Sequence, residues 1–162
     1  MCTAGVLEPG TEDLAACCAS RRWVGALAGR AYADLGALRA ASRRALDDLG
    51  WADVEEALAA HPRIGERAGG DAREAGWSRG EQSGMGGAAP DVRHALVEGN
   101  RVYEERFGHV FLICASGRPA REMLGELLAR LGNDAETERE VVRGELAKIV
   151  DLRLAKLVEE LT

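Results

Sequence analysis

Apolar residues recur at helical spacing along most of the chain, whereas the period-two alternation of a half-buried strand is nearly absent. This pattern predicts an all-α fold in which glycine and proline separate the helices. The predicted helices are Glu12–Cys18, Ser20–Leu27, Asp34–Leu49, Trp51–Ala60, Asp91–Phe107, Pro119–Leu131 and Glu136–Leu161.

Helix-end signals are clearest around Pro119–Leu131. Proline is tolerated in the first turn of a helix and glycine permits a left-handed exit, so Pro119 and the pair Gly132–Asn133 suit its two ends. No internal repeat is visible, and the glycine-rich stretch Gly84–Gly87 is too short to separate two domains. We therefore expect residues 1–162 to form one domain, a bundle of roughly seven or more helices.

The apolar run Val110–Ala115 has strand-like composition in a chain that offers it no second strand. If the run is extended and buried, then side chains, water or a ligand must satisfy its backbone amides and carbonyls. It would in that case form a hydrogen-bonding wall for an amide-rich small molecule. One turn of a buried helix fits the same spacing equally well.

Composition and charge narrow the choice of partners. The 162 residues include 21 Lys and Arg against 27 Asp and Glu, which gives a formal charge of −6, and only 4% are aromatic. The chain therefore lacks the positive field and the stacking surface that nucleic acid requires. No apolar stretch approaches the length of about eighteen residues that spans a membrane. Without a readable secretory signal or a Cys-x-x-Cys pair, we expect a cytoplasmic protein.

Among the three histidines, His61 is the acid/base candidate. Because the residue before a proline is pushed out of helical geometry, Pro62 should fix His61 at a non-helical corner. Gly65 would let the chain approach a ligand closely. The alternative is a histidine that caps the preceding helix, which the helix dipole favours. His94 and His109 have no metal-ligand spacing with His61 or the cysteines, so no metal site is predicted.

Ser78 and Glu81 match the capping box Ser-x-x-Glu, in which the serine accepts from a helical amide and the glutamate reaches back to the cap amide. This interpretation predicts a helix start at Ser78. In the functional alternative, the free amides at such a start, together with Glu81 and Gln82, would bind carbonyls and ureas. The spacing leaves both open.

Arg153 rises from the apolar stripe of the last predicted helix, so its side chain should point inward. A buried arginine needs a partner. That partner is either a core carboxylate or, if Arg153 clamps a substrate, an anionic or carbonyl group of the ligand.

Seven short motifs follow one another along nearly the whole chain. They comprise Cys18, Ser20 and Trp23; His61, Pro62, Ile64 and Gly65; Ser78, Glu81 and Gln82; Asn100, Tyr103, Phe107 and Gly108; Phe111 to Ala115 with Gly117 and Arg118; Arg130, Leu131 and Asn133; and Leu152 to Leu154. In this order they resemble the 2-oxo-4-hydroxy-4-carboxy-5-ureidoimidazoline (OHCU) decarboxylase family.

The resemblance implies a cofactor-free, all-α carboxy-lyase, commonly a homodimer, that converts the ureidoimidazoline carboxylate to (S)-allantoin and carbon dioxide in the last step from urate. It implies that His61 is the catalytic histidine, Glu81 its acidic partner and Arg153 the substrate arginine. The same resemblance assigns further substrate contacts to Pro62, Ser78, Gln82, Phe111, Leu112, Ile113, Cys114 and Ala115.

These residue types suit that reaction, because the conjugated ring can accept the electron pair that carbon dioxide leaves behind if Arg153 or backbone amides stabilise the charge. His61 either takes the hydroxyl proton first or only donates the final proton. Glu81 either orients His61 or the ureido group, or repels the departing carboxylate. The competing function is a helical module that binds a ureido or purine-derived ligand without converting it, in which Glu81 is only a cap.

Overall fold

The structure is a computed structural model that describes residues 5–65 and 73–162. In these ranges the chain forms eight α-helices and one short 3₁₀ helix, Ser83–Met85. The α-helices are α1 (Thr11–Cys17), α2 (Arg21–Leu27), α3 (Leu35–Asp47), α4 (Trp51–Leu58), α5 (Arg73–Glu81), α6 (Pro90–Phe107), α7 (Ala120–Arg130) and α8 (Ala135–Leu161). The all-α prediction is confirmed.

Polar residues begin the helices where the sequence indicates. Asp34 accepts a hydrogen bond from the Ala37 amide at 2.8 Å at the start of α3. Ser20 accepts one from the Trp23 amide at 3.3 Å at the start of α2. Pro119 precedes α7 in an extended conformation. The Asp34 and Ser20 side chains thus satisfy amides that have no partner within their helices. The predicted helices are present, with ends within two residues of the prediction.

Sequence reasoning missed α5. Its nine residues include Gly76 and Gly80 and lack the apolar stripe that identifies the other helices. Because α5 begins at Arg73, Ser78 lies inside the helix rather than at its start. The capping-box interpretation of Ser78 and Glu81 is therefore wrong.

Contacts group the chain into two compact units. The first unit consists of Met1–Ala57 and Ala147–Thr162, and the second of Leu58–Leu146. The expectation of a single domain over residues 1–162 stays a prediction.

Trp23 is fully buried in the first unit. Its indole nitrogen donates to Ser42 Oγ at 3.2 Å, which joins α2 to α3. Arg39 and Arg43 extend from α3 to Asp151 on α8: Arg39 donates to the Asp151 carbonyl at 2.8 Å, and Arg43 pairs with the Asp151 carboxylate at 2.6 Å. These contacts fasten the C-terminal part of α8 to α3.

In the second unit, α6 and α7 pack against each other around an apolar core. The buried residues of this core are Ile64, Met85, Val92, Leu96, Tyr103, Phe111, Ile113, Ala115, Ala120, Met123 and Leu127. Gly99 on α6 allows the close approach, since a Cβ atom there would lie 2.8 Å from a methyl carbon of Leu127. Phe111, Ile113 and Ala115 anchor the predicted apolar run in this core.

Sheet-like pairing within the described ranges is confined to one antiparallel bridge between Leu7 and Tyr32. Each residue donates its amide to the other's carbonyl, at 2.7 and 2.8 Å. No helix of the described residues is both long and apolar enough to cross a membrane.

Candidate active site

His61 lies in the turn that follows the end of α4 at Leu58. Its backbone amide donates to the Leu58 carbonyl at 3.0 Å, and Pro62 prevents the helix from continuing. The His61 and Pro62 residues are half-buried. The predicted non-helical corner is confirmed.

Side chains of α6 hold the backbone directly after His61. Asn100 Nδ2 donates to the Ile64 carbonyl at 3.0 Å. One residue earlier, Arg63 Nε lies 2.9 Å from the Glu104 carboxylate. Because these contacts fix the backbone after the turn, they limit the positions that His61 can adopt.

Gln82, the residue after α5, binds the same turn from another direction. Its Oε1 accepts from the Gly65 amide at 3.0 Å, and its Nε2 donates to the Arg63 carbonyl at 3.5 Å. The oxygen is therefore engaged within the protein, while among the described residues the nitrogen makes one long contact. The NH₂ group of Gln82 could therefore donate a hydrogen bond to a carbonyl group of a ligand.

Ser78 and Glu81 lie in the last turn of α5, with 4% and 8% of their surfaces exposed. The Gln82 amide donates to the Ser78 carbonyl at 3.1 Å, so the turn is closed by its own backbone. An acidic residue at the C-terminal end of a helix lies at the negative end of the helix dipole. The helix dipole therefore does not favour a negative charge at Glu81.

A cavity of about 350 Å³ opens beside α5 and the 3₁₀ helix, a size within the range of small-molecule sites. It is lined by Gly65, Arg79, Gln82, Ser83, Met85, Gly86 and Arg93. The hydrogen bond between Gly65 and Gln82 connects this cavity to the turn that carries His61. In the part of the chain that the structure describes, no three His, Cys, Asp or Glu side chains are grouped to hold a metal ion.

The segment Val110–Ala115 forms neither helix nor strand, so the alternative of a buried helical turn is wrong. The Leu112 carbonyl accepts from Arg130 Nη1 at 2.8 Å. The Cys114 amide donates to Glu145 Oε1 at 3.3 Å. Side chains thus satisfy backbone groups of this buried segment, which has no strand partner among the described residues.

Arg130 belongs to a buried ion pair with Glu138 that sequence reasoning missed. The Glu138 carboxylate accepts from Arg130 Nε at 2.7 Å, from the Tyr103 hydroxyl at 2.7 Å and from Asn133 Nδ2 at 3.0 Å. Burial, and then the hydrogen bond to Glu138, raise the pKa of Tyr103. Arg130, Tyr103 and Asn133 belong to the family motifs. Their spacing does not predict a common partner, because Glu138 lies outside these motifs, on α8.

Arg153 lies on α8 in the first unit and is 1% exposed, which confirms that it points inward. Its Nη1 donates to the Ala16 carbonyl at 3.4 Å. His61, Glu81 and Gln82 belong to the second unit. Within that unit, the structure brings Gln82 to the turn of His61.

The fold places the chain in a class of all-α proteins that has a member of known structure. A crystal structure of OHCU decarboxylase in the presence of (S)-allantoin matches the chain with a TM-score of 0.79 and 30% identity. The match covers 90% of this chain and 96% of that one.

The chain belongs to the OHCU decarboxylase family, whose sequence profile matches residues 8–155. It is 38% identical over 111 residues to the uric acid degradation bifunctional protein TTL of Arabidopsis thaliana, covering 67% of this chain and 34% of that protein. It is 35% identical over 136 residues to the 2-oxo-4-hydroxy-4-carboxy-5-ureidoimidazoline decarboxylase of Amia calva, covering 81% of this chain and 76% of that one. The chain thus spans about a third of the Arabidopsis relative. The resemblance inferred from the motifs is confirmed.

Proposed function

We propose that this protein is an OHCU decarboxylase that releases carbon dioxide from 2-oxo-4-hydroxy-4-carboxy-5-ureidoimidazoline and forms (S)-allantoin. The observation that carries the proposal is family membership over residues 8–155, together with the similarity in fold to an OHCU decarboxylase of known structure. This evidence supports an enzyme over the alternative of a binding module.

The reaction breaks the bond to the carboxylate and leaves its electron pair in the conjugated ring. The hydroxyl group on the carbon that carried the carboxylate then gives up its proton and becomes the ring carbonyl, the nitrogen that took up the electron pair is protonated, and the neighbouring ring carbon gains a proton on the face that gives the S configuration. The ring itself accepts the electrons, so the protein's part is to stabilise the developing charge and to deliver the proton.

For His61 we propose the proton transfer. An imidazole exchanges protons near neutral pH, which suits this task. Half-burial leaves His61 reachable by a small ligand. The hydrogen bonds of Arg63, Ile64 and Gly65 hold its turn, and a fixed acid delivers a proton to one face of the substrate only.

Glu81 and Gln82 complete the substrate contacts from the end of α5, with Ser78 on the same turn. Glu81 is 8% exposed in the last turn of α5, and the family resemblance implies that it takes a direct part in turnover. Gln82 lines the cavity and offers its NH₂ group to the carbonyls of the ureido or ring portion.

The buried segment from Phe111 to Ala115 forms a rigid wall for the substrate in this proposal. Arg130 and Glu145 hold its backbone from two sides, at the Leu112 carbonyl and the Cys114 amide. A wall held by side chains keeps its shape when a ligand binds or leaves.

The role of Arg153 as the arginine that binds the substrate carboxylate or a ring carbonyl is part of the same proposal. Its planar guanidinium can donate to two acceptors at once, and its burial would strengthen these bonds. We also propose that the protein acts in the cytoplasm as a homodimer. Light scattering should then give twice the mass of the monomer.

The decay of freshly generated OHCU, followed by ultraviolet absorbance, tests the proposal. The wild-type protein should accelerate the decay. His61→Ala should fold, but its rate should be lower than that of wild type by a factor of about 10² to 10⁴. His94→Ala, at an exposed position of α6, is the matched control and should keep the wild-type rate. A wild-type protein that leaves the spontaneous decay unchanged would show that the proposed function is wrong.

A further inference from the structure

Asn100 is a polar residue on the buried face of α6, where it lies between Leu96 and Tyr103. It is 4% exposed. Its Nδ2 donates to the Ile64 carbonyl, but its Oδ1 has no hydrogen-bond partner among the described residues. A buried acceptor without a partner destabilises a fold. Asn100 therefore satisfies the Ile64 carbonyl while its own oxygen has no partner among the described residues.

The Ile64 carbonyl fixes the orientation of the Asn100 amide. Exchanging the amide nitrogen and oxygen would bring two acceptor oxygens together at 3.0 Å. What Asn100 stabilises is thus the position of one backbone carbonyl in the turn after α4.

Ile64 lies three residues after His61, and Pro62 between them has a fixed φ angle. The next amide, that of Gly65, is bonded to Gln82. With these groups held, few backbone rotations remain between His61 and the core. A shift of the Ile64 carbonyl would be passed on to the imidazole.

We propose that Asn100 is a positioning residue that holds His61 in its reactive place through the Ile64 carbonyl. The inference rests on the proposed decarboxylase function. It differs from a purely structural role because it predicts an effect on kcat, whereas a structural role changes stability. Displacing a reacting group by about 1 Å can slow a reaction about 10²-fold.

Asn100→Asp keeps the shape of the side chain but turns an oxygen toward the Ile64 carbonyl. We expect kcat to fall about 10- to 100-fold while KM stays within about threefold of wild type. Asn100→Ala, which adds no charge, is the second variant should the aspartate variant fail to fold. Ser42→Ala is the control, because it removes a buried hydrogen bond from Trp23 in the first unit and should keep the wild-type kcat. An unchanged kcat in the Asn100 variants, or an equal loss in Ser42→Ala, would overturn the proposal.

Combining each Asn100 variant with His61→Ala tests whether the effect passes through the histidine. If Asn100 acts through His61, it should cause no further loss of kcat once the imidazole is absent, a change of less than about twofold. A loss of the same factor in both backgrounds would contradict the proposal.

Nuclear magnetic resonance of histidine-labelled protein separates this inference from the proposed function. The chain has three histidines, so the imidazole signals can be assigned with His61→Ala. Asn100→Asp should shift or broaden the His61 signals and leave those of His94 unchanged. Unaltered His61 signals would overturn the positioning role whatever the protein catalyses. A shifted His61 signal in a protein that does not convert OHCU would refute the proposed function alone.

Discussion

Replacing Glu138 with glutamine probes its buried ion pair with Arg130, which also donates to the Leu112 carbonyl. Glu138 is fully buried and Arg130 is 3% exposed. Glutamine keeps the shape of the side chain but leaves the guanidinium without its counter-charge, and an arginine cannot shed its proton to compensate. Removing one partner of such a pair lowers the free energy of unfolding by about 3 to 5 kcal/mol. This is a large part of the total of about 5 to 15 kcal/mol that holds a domain folded.

Urea denaturation measures this loss. With a slope of about 2 kcal/mol per molar urea, the midpoint of Glu138→Gln should lie about 1.5 to 2.5 M below that of wild type. Glu140→Gln, at an exposed position on α8, is the matched control and should change the free energy by no more than about 0.5 kcal/mol. Arg130→Met combined with Glu138→Gln removes the stranded charge, so the double variant should be more stable than additivity predicts by at least about 1 kcal/mol. A midpoint shift below about 0.5 M in Glu138→Gln, or strict additivity, would refute the reasoning.

Four further predictions follow from the site and the packing. Arg153→Lys should lower kcat/KM about tenfold, since lysine keeps the charge but cannot bind two acceptors with one planar group; wild-type kinetics would exclude a substrate clamp. Glu81→Gln should lower kcat at least about tenfold, and a variant that only melts earlier would give Glu81 a structural role. Gly84→Ala should destabilise the protein by about 1 to 3 kcal/mol, because a Cβ atom there clashes with a backbone carbonyl oxygen, whereas Gly87→Ala has open space around it; equal melting temperatures would contradict this. Burial is the main cause of the raised pKa of Tyr103, so its neutral phenol stabilises the fold below the unfolded-state pKa of about 10, and this contribution is lost as the pH rises above that value. The urea midpoint should therefore fall less between about pH 8 and 11 in Tyr103→Phe than in wild type. Parallel curves for the two proteins would contradict this prediction.

Helices with both an apolar stripe and an end signal were predictable from the sequence. α3 begins after Asp34 and α7 after Pro119, as their capping chemistry indicates. α5 has neither signal, since its two glycines and few apolar residues give no stripe. The Ser-x-x-Glu spacing then suggested a helix start where the structure has a helix end.

The residues that contact the substrate in our proposal were easier to predict than the residues that position them. His61 could be found because Pro62 restricts its backbone locally, and the inward direction of Arg153 followed from its place on the stripe of α8. The contacts of Asn100 with Ile64 and of Arg130 with Glu138 depend on residues far apart in sequence. Local spacing carries no information about such pairs, although the family motifs contain both members of the first pair and Arg130 of the second.

The measurement that tests the central claim most directly is circular dichroism of the allantoin formed from freshly generated OHCU. The enzymatic reaction adds the final proton to one face of the ring, so we predict the signal of the S enantiomer, growing with the concentration of the wild-type protein. His61→Ala should give the weak or absent signal of the spontaneous route, which yields no single enantiomer. Product without optical activity in the presence of the wild-type protein would contradict the claim that this chain catalyses the decarboxylation.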